Sequence, residues 1–486
     1  MSESAGTTSP ARIVRIVIIG GGLAGLTAAH RLRTQFEKAG RPLELEILEA
    51  SDRAGGVLDT AFDHGCVMER GPDSIITDKP WALALCEELG LGDEILPTNS
   101  AHRGSFLVRK GRLVRTPEGF HLMAPSRLWP FAFSSVVSPL GKIRMAMDLV
   151  LPRGSSDDET LGDFVRRRLG REALERIAQP MVGGIYTADP DKLSLLATMP
   201  RFKEMEATHR SLIVAMMRAR RRSEQAVGTA NGPRYDLFVT MRNGMAQLAT
   251  RLVEAVGAER ITLKTAVSAV TQTSNGWQVT SADGKVRDAD TVIVTTPSYV
   301  TADLLRGLSD SLARELAGIE YSSAATVNLL YRREDIDHPL DAFGFVVPAV
   351  ERFNVLACTF SSRKFAGRAP DGFMLLRAFI GGALAPEQMD RDDGSMIDAA
   401  VGDLARLLGA KKPQQALVTR WPRSMPQYHF GHLDRIARID ATLSTFPGLV
   451  LAGNAYRGIG IPDTIRVARK AADQAAQPWL DALAST

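Results

Sequence analysis

The stretch IVRIVIIGGGLAGLTAAHRLR at residues 13–33, followed by LELEIL at residues 43–48, decides the fold of this chain. Residues 13–19 form a β-branched run that is typical of a buried strand, and three glycines follow it. Residues 23–33 are rich in alanine and leucine and have helical character, and residues 43–48 are predicted as a second strand. Strand, glycine turn, helix and strand in this order predict a βαβ unit on a parallel sheet.

A glycine pattern marks the turn of this unit as a phosphate-binding site. Gly20 allows the tight turn, Gly22 lets the backbone approach a pyrophosphate, and Gly25 lets the helix pack closely on the strand. The N-terminus of the helix adds partial positive charge. Glu49 follows the second strand, where a carboxylate accepts hydrogen bonds from ribose hydroxyl groups. Because an acidic residue there disfavours a bound 2′-phosphate, the pattern indicates FAD or NAD rather than NADP.

Two further glycine-rich segments distinguish between these dinucleotides. Residues 49–56, EASDRAGG, continue the second strand into a Gly-Gly turn that lets the chain cross a dinucleotide again. Residues 451–463 contain another glycine-rich turn that opens a helix, and its amide groups suit a flavin ring or a ribityl chain. Three separated glycine-rich segments fit a long, extended cofactor, so we predict FAD.

The composition excludes several classes of protein. The 486 residues carry a formal charge of +4, with 45% hydrophobic and 23% charged residues, which rules out a disordered chain. Cys66, Cys86 and Cys358 are widely spaced, which argues against a disulfide scaffold or a zinc ribbon and favours a reducing compartment. Residues 1–15 lack the pattern of a secretory signal, and no run reaches the roughly 18 apolar residues of a membrane span. We therefore expect a cytoplasmic protein that is neither exported nor integral to a membrane.

The basic residues give little support to nucleic-acid binding. They number 59 against 55 acidic residues, although the isoelectric point is about 9.0. Arginines cluster at residues 166–168 and 218–222, and the simplest interpretation of both runs is a solvated helix face. The sequence has no RNP motif, zinc finger or aromatic–basic pattern, so we expect no nucleic-acid partner.

The chain divides by composition into helical and strand-rich regions. We predict an α/β multidomain fold with a discontinuous Rossmann-like FAD-binding domain at residues 1–80, 228–298 and 421–486. A helical domain that faces the substrate or a membrane is predicted at residues 81–227. A β-rich substrate-binding domain is predicted at residues 299–420. Two insertions therefore interrupt the predicted FAD-binding domain.

Four local patterns carry further predictions. Residues 221–234 are polar, contain glycine and lack periodicity, which indicates an exposed loop. Residues 260–297 alternate in the manner of successive hairpin strands. The strand near residue 450 is expected beside the first strand of the sheet. Residues 128–140 are apolar but broken by two prolines, which fits either an irregular core segment or a surface that docks on a membrane.

Further motifs are spread over the whole chain. They are ERGPDS at residues 69–74, GGIYTADP at 183–190 with KLS at 192–194, MPRF at 199–202, HRSL at 209–212, RWP at 420–422 with MPQY at 425–428, GHL at 431–433 and GNAYRGIGIPD at 453–463. Together with residues 20–25 and 49–56, they make the sequence similar to the FAD-binding amine oxidase superfamily. Within it, the chain resembles the protoporphyrinogen/coproporphyrinogen oxidases of the bacterial type.

This resemblance implies the six-electron oxidation of a porphyrinogen IX to the porphyrin in haem biosynthesis, with oxygen reoxidising FAD and giving hydrogen peroxide. Because FAD takes hydride from a meso carbon, positioning matters more than a side-chain acid, and we expect no catalytic side chain and no metal site. The implied partners are the porphyrinogen and molecular oxygen. Peripheral membrane contact, a homo-oligomer and contact with ferrochelatase stay open. The choice between protoporphyrinogen and coproporphyrinogen III also stays open.

Three other functions stay open at this point. An amine oxidase would need a pair of aromatic side chains beside the flavin, and Tyr456 followed by Arg457 offers no such pair. A carotenoid-type desaturase shares both ends of the cofactor site but lacks the GGIYTADP and MPQY segments. A flavin- or porphyrin-binding module would change a porphyrin spectrum without consuming oxygen.

The resemblance also assigns residues to the cofactor, motif by motif. The FAD contacts that it implies are Gly20, Gly21, Gly22, Leu23, Ala24, Gly25, Glu49, Val57, Gly71, Pro72, Asp73, Ser74, Val267, Trp421, Ile459, Gly460 and Ile461. Val267 is expected at the adenine end, and residues 459–461 against the flavin. For Val267 and Trp421, simple core packing is the alternative.

Arginines are the expected partners of the substrate's propionates, because a guanidinium binds a carboxylate through two hydrogen bonds. Arg103 and Arg109 lie in a basic strand and turn at the place that the family uses for a propionate contact. An exposed, charged hairpin is the alternative. Residues 346–347 and 375–376 are expected to flank the macrocycle with apolar side chains.

Overall fold

The structure is a computed structural model that describes residues 12–117, 120–121, 124–125, 128–226 and 237–481. Its strands, in chain order, are β1 Val14–Ile19, β2 Leu43–Leu48, β3 Thr60–Asp63, β4 Cys66–Glu69, β5 Ile75–Ile76, β6 Ile95–Pro97, β7 Phe106–Arg109, β8 Arg112–Arg115, β9 Phe120–His121, β10 Ala124–Pro125, β11 Phe238–Met241, β12 Ile261–Thr262, β13 Val267–Thr273, β14 Gly276–Ser281, β15 Val286–Ala289, β16 Thr291–Val294, β17 Tyr321–Arg332, β18 Gly344–Val346, β19 Val355–Phe360, β20 Phe373–Gly381, β21 Gln415–Pro426 and β22 Leu449–Leu451. Its α-helices are α1 Leu23–Lys38, α2 Trp81–Glu88, α3 Leu128–Phe133, α4 Pro139–Ala146, α5 Leu161–Arg168, α6 Arg171–Ala173, α7 Gln179–Tyr186, α8 Leu195–Thr198, α9 Pro200–His209, α10 Leu212–Ala226, α11 Ala246–Val256, α12 Ser298–Leu305, α13 Asp310–Ala317, α14 Ser361–Lys364, α15 Asp393–Leu408, α16 His432–Leu443 and α17 Ile461–Asp481.

The central sheet is parallel and contains five strands in the order β12-β2-β1-β16-β22. The apolar residues of β1 are buried, and β1 pairs with β2 on one side and with β16 on the other. α1 and α17 pack against each other and share one hydrophobic core with the sheet. The α/β fold class is therefore confirmed. The predicted place of the tail strand is wrong, because β16 already occupies that edge of β1 and β22 pairs with β16 instead.

The region predicted as successive hairpins is divided between two sheets. β13, β14 and β15 form the expected antiparallel sheet. β12 and β16 pair in parallel with β2 and β1, so the hairpin prediction is wrong for these two strands. Their side chains do not reveal this, because parallel pairing depends on residues that are distant in sequence.

A second large sheet contains seven strands in the order β21-β17-β20-β19-β18-β7-β8. Its pairs are antiparallel except for β18 with β7, and α15 contributes buried residues to the same core. β7 and β8 come from residues 106–115, inside the region predicted as helical, so that region also supplies strands. The two strands form a hairpin because Gly111 takes a positive φ of +69° in the turn between them.

Helices α3 to α10 surround a separate hydrophobic core. A buried ion pair lies inside it, in which Arg168 Nε donates to Asp148 Oδ1 at 2.7 Å. Asp148 also accepts a hydrogen bond from Ser211 Oγ at 2.6 Å, just before α10 begins. α10 continues to Ala226, so the loop prediction is wrong for residues 221–226, and residues 227–234 lie outside the described residues.

The apolar segment at residues 128–140 has two kinds of surface. Phe131 and Val137 are buried in the helical core. Trp129 and Phe133 stack on each other with ring centroids 6.2 Å apart, and they are 77% and 82% exposed. The segment therefore packs in the core and also carries an exposed apolar face. Within the described residues, none of the helices combines the length and the apolar character needed to cross a bilayer.

Candidate active site

The N-terminus of α1 can receive an anion. The helix begins at Leu23 with Gly22 in the N-cap position, and no described side chain caps it. Its first amide groups and the positive end of its dipole therefore point at the turn before it. A Cβ atom on Gly25 would lie 1.9 Å from the carbonyl oxygen of Gly20, so glycine is needed for the close approach of helix to strand.

The Gly-Gly turn crosses this helix terminus at backbone distance. The amide of Gly55 donates to the carbonyl of Gly21 at 2.8 Å. A Cβ atom on Gly56 would lie 3.1 Å from Cα of Gly22. Arg53 fixes the turn by donating to the carbonyl of Gly56 at 2.5 Å. The two glycine turns therefore meet with no side chain between them.

Glu49 lies at the carboxyl end of β2, beside the same turns. Its Oε2 accepts a hydrogen bond from the amide of Gly21 at 2.6 Å, and its Oε1 accepts from Ser51 Oγ at 2.7 Å. Its backbone pairs with Thr265, whose amide donates to the carbonyl of Glu49 at 2.8 Å. Val267 begins β13 two residues later and is half-buried. The structure therefore brings Val267 close to the end of the site that Glu49 occupies.

The third glycine-rich segment is tied to the first by one threonine. Thr295 Oγ1 donates to the carbonyl of Gly20 at 3.0 Å. A Cβ atom on Gly453, at the end of β22, would lie 3.6 Å from the carbonyl oxygen of Thr295. Ile461 starts α17 after Gly458, whose φ is +119°.

Val57, Gly71 and Trp421 form a second cluster. A Cβ atom on Gly71 would lie 1.7 Å from the carbonyl oxygen of Val57 and 3.7 Å from Cζ2 of Trp421. Trp421 Nε1 donates to the carbonyl of Arg70 at 2.8 Å. Val57 is 42% exposed, so its side chain is accessible to a bound molecule.

Charged side chains surround the segment that contains Gly71. Lys364 Nζ lies 3.0 Å from Asp73 Oδ2, and Arg377, which is buried, donates to the carbonyl of Gly71. Burial raises the pKa of Asp73, but the positive charges of Lys364 and Arg377 lower it by more. The resulting pKa of Asp73 is below the usual range of a carboxyl group. Asp73 therefore stays ionised and, together with Lys364, holds this segment in place.

These backbone turns fit FAD. A cap-free helix terminus suits the pyrophosphate, Glu49 suits the ribose, and the glycines leave room that a Cβ atom would fill. Pro72 and Ser74 belong to the segment beside Trp421, and Ser74 Oγ donates to Asp73 at 2.7 Å. Leu23 and Ala24 are buried, so they can contact a cofactor only through their backbone.

The tail turn joins the helical part of the molecule. Ile459 is half-buried and packs on the helical core, together with Tyr186 and Val346. A Cβ atom on Gly184 would lie 3.7 Å from Cγ1 of Val346. Burial raises the pKa of Tyr186 to about 12, so its hydroxyl stays protonated. The end of the predicted flavin site therefore packs on the same core as the partly buried Val346.

The residues predicted to bind substrate differ in their exposure and in their polar contacts. Arg109 is 20% exposed and lies 4.0 Å from Glu172, and among the described residues none accepts a hydrogen bond from its Nε atom. Arg103 is exposed, as the hairpin alternative requires. Leu375 and Leu376 are buried in two different cores of the large sheet, so the expectation that they flank a macrocycle is wrong.

Three residues of the site were missed at the sequence level: Arg53, Thr295 and Arg377. Each acts on a backbone carbonyl that is brought near by the turn of the chain or by the tertiary fold. For Arg53, the sequence offers a signal, because a basic residue stands just before a Gly-Gly turn. For Thr295 and Arg377, the sequence offers no comparable signal. Among the described residues, no three His, Cys, Asp or Glu side chains come together as metal ligands.

Comparison with known proteins gives the family. The model of the family "Flavin containing amine oxidoreductase" matches residues 23–476. The chain belongs to this family. Its cofactor is FAD, which agrees with the glycine turns described above.

Three similar proteins cover most of the chain. The coproporphyrinogen III oxidase of Bacillus subtilis (strain 168) is 35% identical, over 95% of this chain and 97% of its own. The coproporphyrinogen III oxidase of Propionibacterium freudenreichii subsp. freudenreichii is 36% identical, over 96% of this chain and 92% of its own. A crystal structure of an Exiguobacterium sp. 255-15 protein, assigned provisionally as a protoporphyrinogen oxidase, has a TM-score of 0.83 and 30% identity and covers 96% of this chain and all of its own.

Proposed function

We propose that this member of the flavin family is a FAD-dependent porphyrinogen oxidase of haem biosynthesis, with coproporphyrinogen III as its preferred substrate. The observation that carries the proposal is the similarity, over nearly the whole of both chains, to the coproporphyrinogen III oxidases of B. subtilis and P. freudenreichii. The partly buried apolar side chains of Val346, Tyr186 and Ile459 near the tail turn support it, because a porphyrinogen is a large and mostly apolar ring.

Bound FAD supplies the acceptor for a hydride from a meso carbon. In this proposal the N-terminus of α1 binds the pyrophosphate, and Glu49 accepts hydrogen bonds from the ribose. Val267 contacts the adenine end through its backbone. Residues 71–74 and 459–461 hold the flavin end, with Val57 and Trp421 beside it. The side chains position the two reactants, and none of them acts as an acid or a base.

Molecular oxygen is the proposed electron acceptor. Conversion of a porphyrinogen to a porphyrin removes six hydrogen atoms in three two-electron oxidations. Together the three oxidations take three hydrides from meso carbons and release three protons, two from pyrrole nitrogens and one from the remaining meso carbon. Three molecules of oxygen accept these electrons and protons and leave as three molecules of hydrogen peroxide, so the reaction balances.

Arg109 is the proposed partner of a propionate. It lies at the end of β7, which pairs with the strand that carries Val346. Its guanidinium is partly buried, and its Nε atom has no hydrogen-bond partner among the residues that the structure describes, which supports a bidentate contact with a carboxylate. The exposed Arg103, three residues before β7 begins, is a second candidate.

The test is aerobic incubation of the purified flavoprotein with coproporphyrinogen III, with porphyrin fluorescence and oxygen uptake recorded together. We expect about three molecules of oxygen consumed for each porphyrin formed. Heat-treated protein is the control for spontaneous oxidation. Porphyrin formation without oxygen uptake would contradict the proposed acceptor, and flavin-loaded protein that forms no porphyrin from coproporphyrinogen III would contradict the proposed function.

We also propose that the exposed apolar face at residues 129–153 contacts a membrane surface. Trp129 and Phe133 form its stacked centre, and Ile143 is 64% exposed nearby in sequence. The only acidic residue of this stretch is Asp148, which is buried against Arg168, so its exposed charges are basic. An apolar face with a basic rim suits anionic lipid.

Flotation with anionic-lipid vesicles tests this contact. We expect the wild type to float and the double variant Trp129→Ser, Phe133→Ser to stay in the bottom fraction. Phe62→Ser removes a side chain that is 64% exposed elsewhere and is the matched control. Wild-type protein that stays at the bottom would contradict the proposal. A homo-oligomer and contact with ferrochelatase have the family resemblance as their only support.

A further inference from the structure

The tail turn at residues 454–458 is held by the hydroxyl group of a buried tyrosine. Tyr428 Oη donates to the carbonyl oxygen of Asn454 at 2.6 Å and accepts a hydrogen bond from the amide of Gly458 at 2.8 Å. One hydroxyl group therefore bridges the two ends of the turn, and it replaces a direct backbone bond between them. Tyr428 is 2% exposed, so water does not compete for either hydrogen bond.

A buried histidine holds the middle of the same turn. His432 Nε2 lies 3.0 Å from the carbonyl oxygen of Tyr456, and its ring stacks on that of Tyr428 with centroids 3.9 Å apart and planes 12° apart. Burial lowers the pKa of His432 to about 4, which keeps the ring neutral at pH 7. Nε2 carries the proton and donates, because the carbonyl oxygen of Tyr456 can only accept. The two rings act as one unit with three contacts to the turn.

This unit is also anchored on its other side. Gln427 Nε2 donates to the carbonyl of Tyr186 at 3.2 Å and to Ser322 Oγ at 3.0 Å. Gln427 is 4% exposed and precedes Tyr428 directly. The MPQY motif is thus fixed to the end of α7 and to β17 before it reaches the tail turn. Ile459, one residue beyond the turn, packs on the core to which Tyr428 belongs.

We infer that Tyr428 and His432 are positioning residues that fix residues 459–461 against the flavin of bound FAD. The inference rests on the proposal that these residues face the flavin. It gives a physical role to two motifs, MPQY and GHL, that the reaction itself does not use. We assign neither side chain to the reacting atoms, because both are buried and their polar atoms are used by backbone atoms of the turn.

Tyr428→Phe tests the inference on the purified holoenzyme. The variant keeps the stacked ring but leaves the amide of Gly458 and the carbonyl of Asn454 without a partner inside the protein. The rate of FAD release is measured as the rise in flavin fluorescence after dilution. We expect this rate to be about tenfold higher in the variant than in the wild type. The visible circular dichroism of the bound flavin should also change, because the turn no longer holds its position.

Tyr331→Phe is the matched control. Tyr331 is fully buried, and its hydroxyl group has no hydrogen-bond partner within the described part of the chain. Its removal should leave FAD release and the flavin spectrum unchanged. Tyr428→Phe with wild-type release and a wild-type spectrum would overturn the inference.

The histidine is tested by a second pair of variants, which decides the matter if Tyr428→Phe does not fold. In His432→Gln the side-chain amide can take the place of Nε2–H and donate to the carbonyl of Tyr456, whereas His432→Leu cannot donate. We expect release within about threefold of wild type for the first and about tenfold faster release for the second. Equal release rates would overturn the inference. Because release is measured without porphyrinogen, the result holds whether or not the protein oxidises one.

Discussion

Gly25→Ala tests the proposed dinucleotide-binding turn at residues 20–25, where α1 approaches the backbone of Gly20 most closely. The new Cβ atom would lie 1.9 Å from the carbonyl oxygen of Gly20 and 3.1 Å from Thr295 Oγ1. Carbon–oxygen contacts in proteins start at about 3.3 Å, so α1 must move away from β1 by about 1.4 Å. Overpacking of this kind costs about 1–3 kcal/mol. The shift also displaces the amide groups that we assign to the pyrophosphate.

Gly402→Ala is the matched control for this change. It adds the same methyl group inside α15, where the new Cβ position has no neighbour within 4 Å apart from the surrounding turn of the helix itself. Alanine restricts the unfolded chain and favours a helix, so this variant should gain about 0.5–1 kcal/mol.

Both variants can be compared by FAD content after gel filtration and by the midpoint of thermal unfolding. We expect Gly25→Ala to lose most of its FAD and to unfold at a lower temperature. Gly402→Ala should keep its FAD and unfold at the same or a higher temperature. A Gly25→Ala protein with one FAD per chain and a wild-type midpoint would refute the assignment of this turn.

Three further predictions concern single side chains. Glu49→Ala should weaken FAD binding about 10- to 100-fold, because a charged acceptor of hydrogen bonds is lost. Glu44→Ala, which removes an exposed carboxylate from β2, should leave FAD binding unchanged. Equal FAD affinities of the two variants would remove Glu49 from the site. Burial, together with nearby Arg435 and Arg457, lowers the pKa of His432 to about 4, so the unfolded chain takes up a proton at a higher pH than the folded chain. The free energy of unfolding should therefore fall as the pH drops from about 6.5 toward 4, by about 2 kcal/mol at pH 5. Unfolding midpoints at pH 7.5 and pH 5 should differ less in His432→Gln than in the wild type, and equal differences would contradict this prediction. Arg109→Ala should raise KM for a porphyrinogen about tenfold with kcat little changed. Arg115→Ala removes an exposed arginine of the neighbouring strand β8, which pairs with Asp341, and should change neither constant. An unchanged KM for Arg109→Ala would place the propionates elsewhere.

The βαβ unit could be predicted because its signals are local. The β-branched run of β1, the glycines of the turn and the apolar residues of α1 are close in sequence, and each depends on backbone physics at its own position. The Gly-Gly turn at residues 55–56 also has a local cause, since both glycines take positive φ values. The structure has these elements where the sequence predicts them.

The remaining features depend on contacts between distant residues. The place of β22 is decided by β16, and the burial of Leu375 and Leu376 is decided by which face of β20 meets which core. Thr295 and Tyr428 act on backbone atoms that lie far away in sequence. No periodicity or motif spacing encodes such pairs, although the MPQY motif marked the segment in which Tyr428 lies.

The proposed function is tested most directly by kcat/KM for coproporphyrinogen III and for protoporphyrinogen, measured in parallel on the same preparation of flavin-loaded protein. Porphyrin fluorescence gives both rates, and heat-treated protein gives the background. We predict that kcat/KM is at least about tenfold higher for coproporphyrinogen III, which corresponds to about 1.4 kcal/mol of transition-state binding. An equal or higher kcat/KM for protoporphyrinogen would contradict the proposed substrate, and no turnover of either would contradict the proposed reaction.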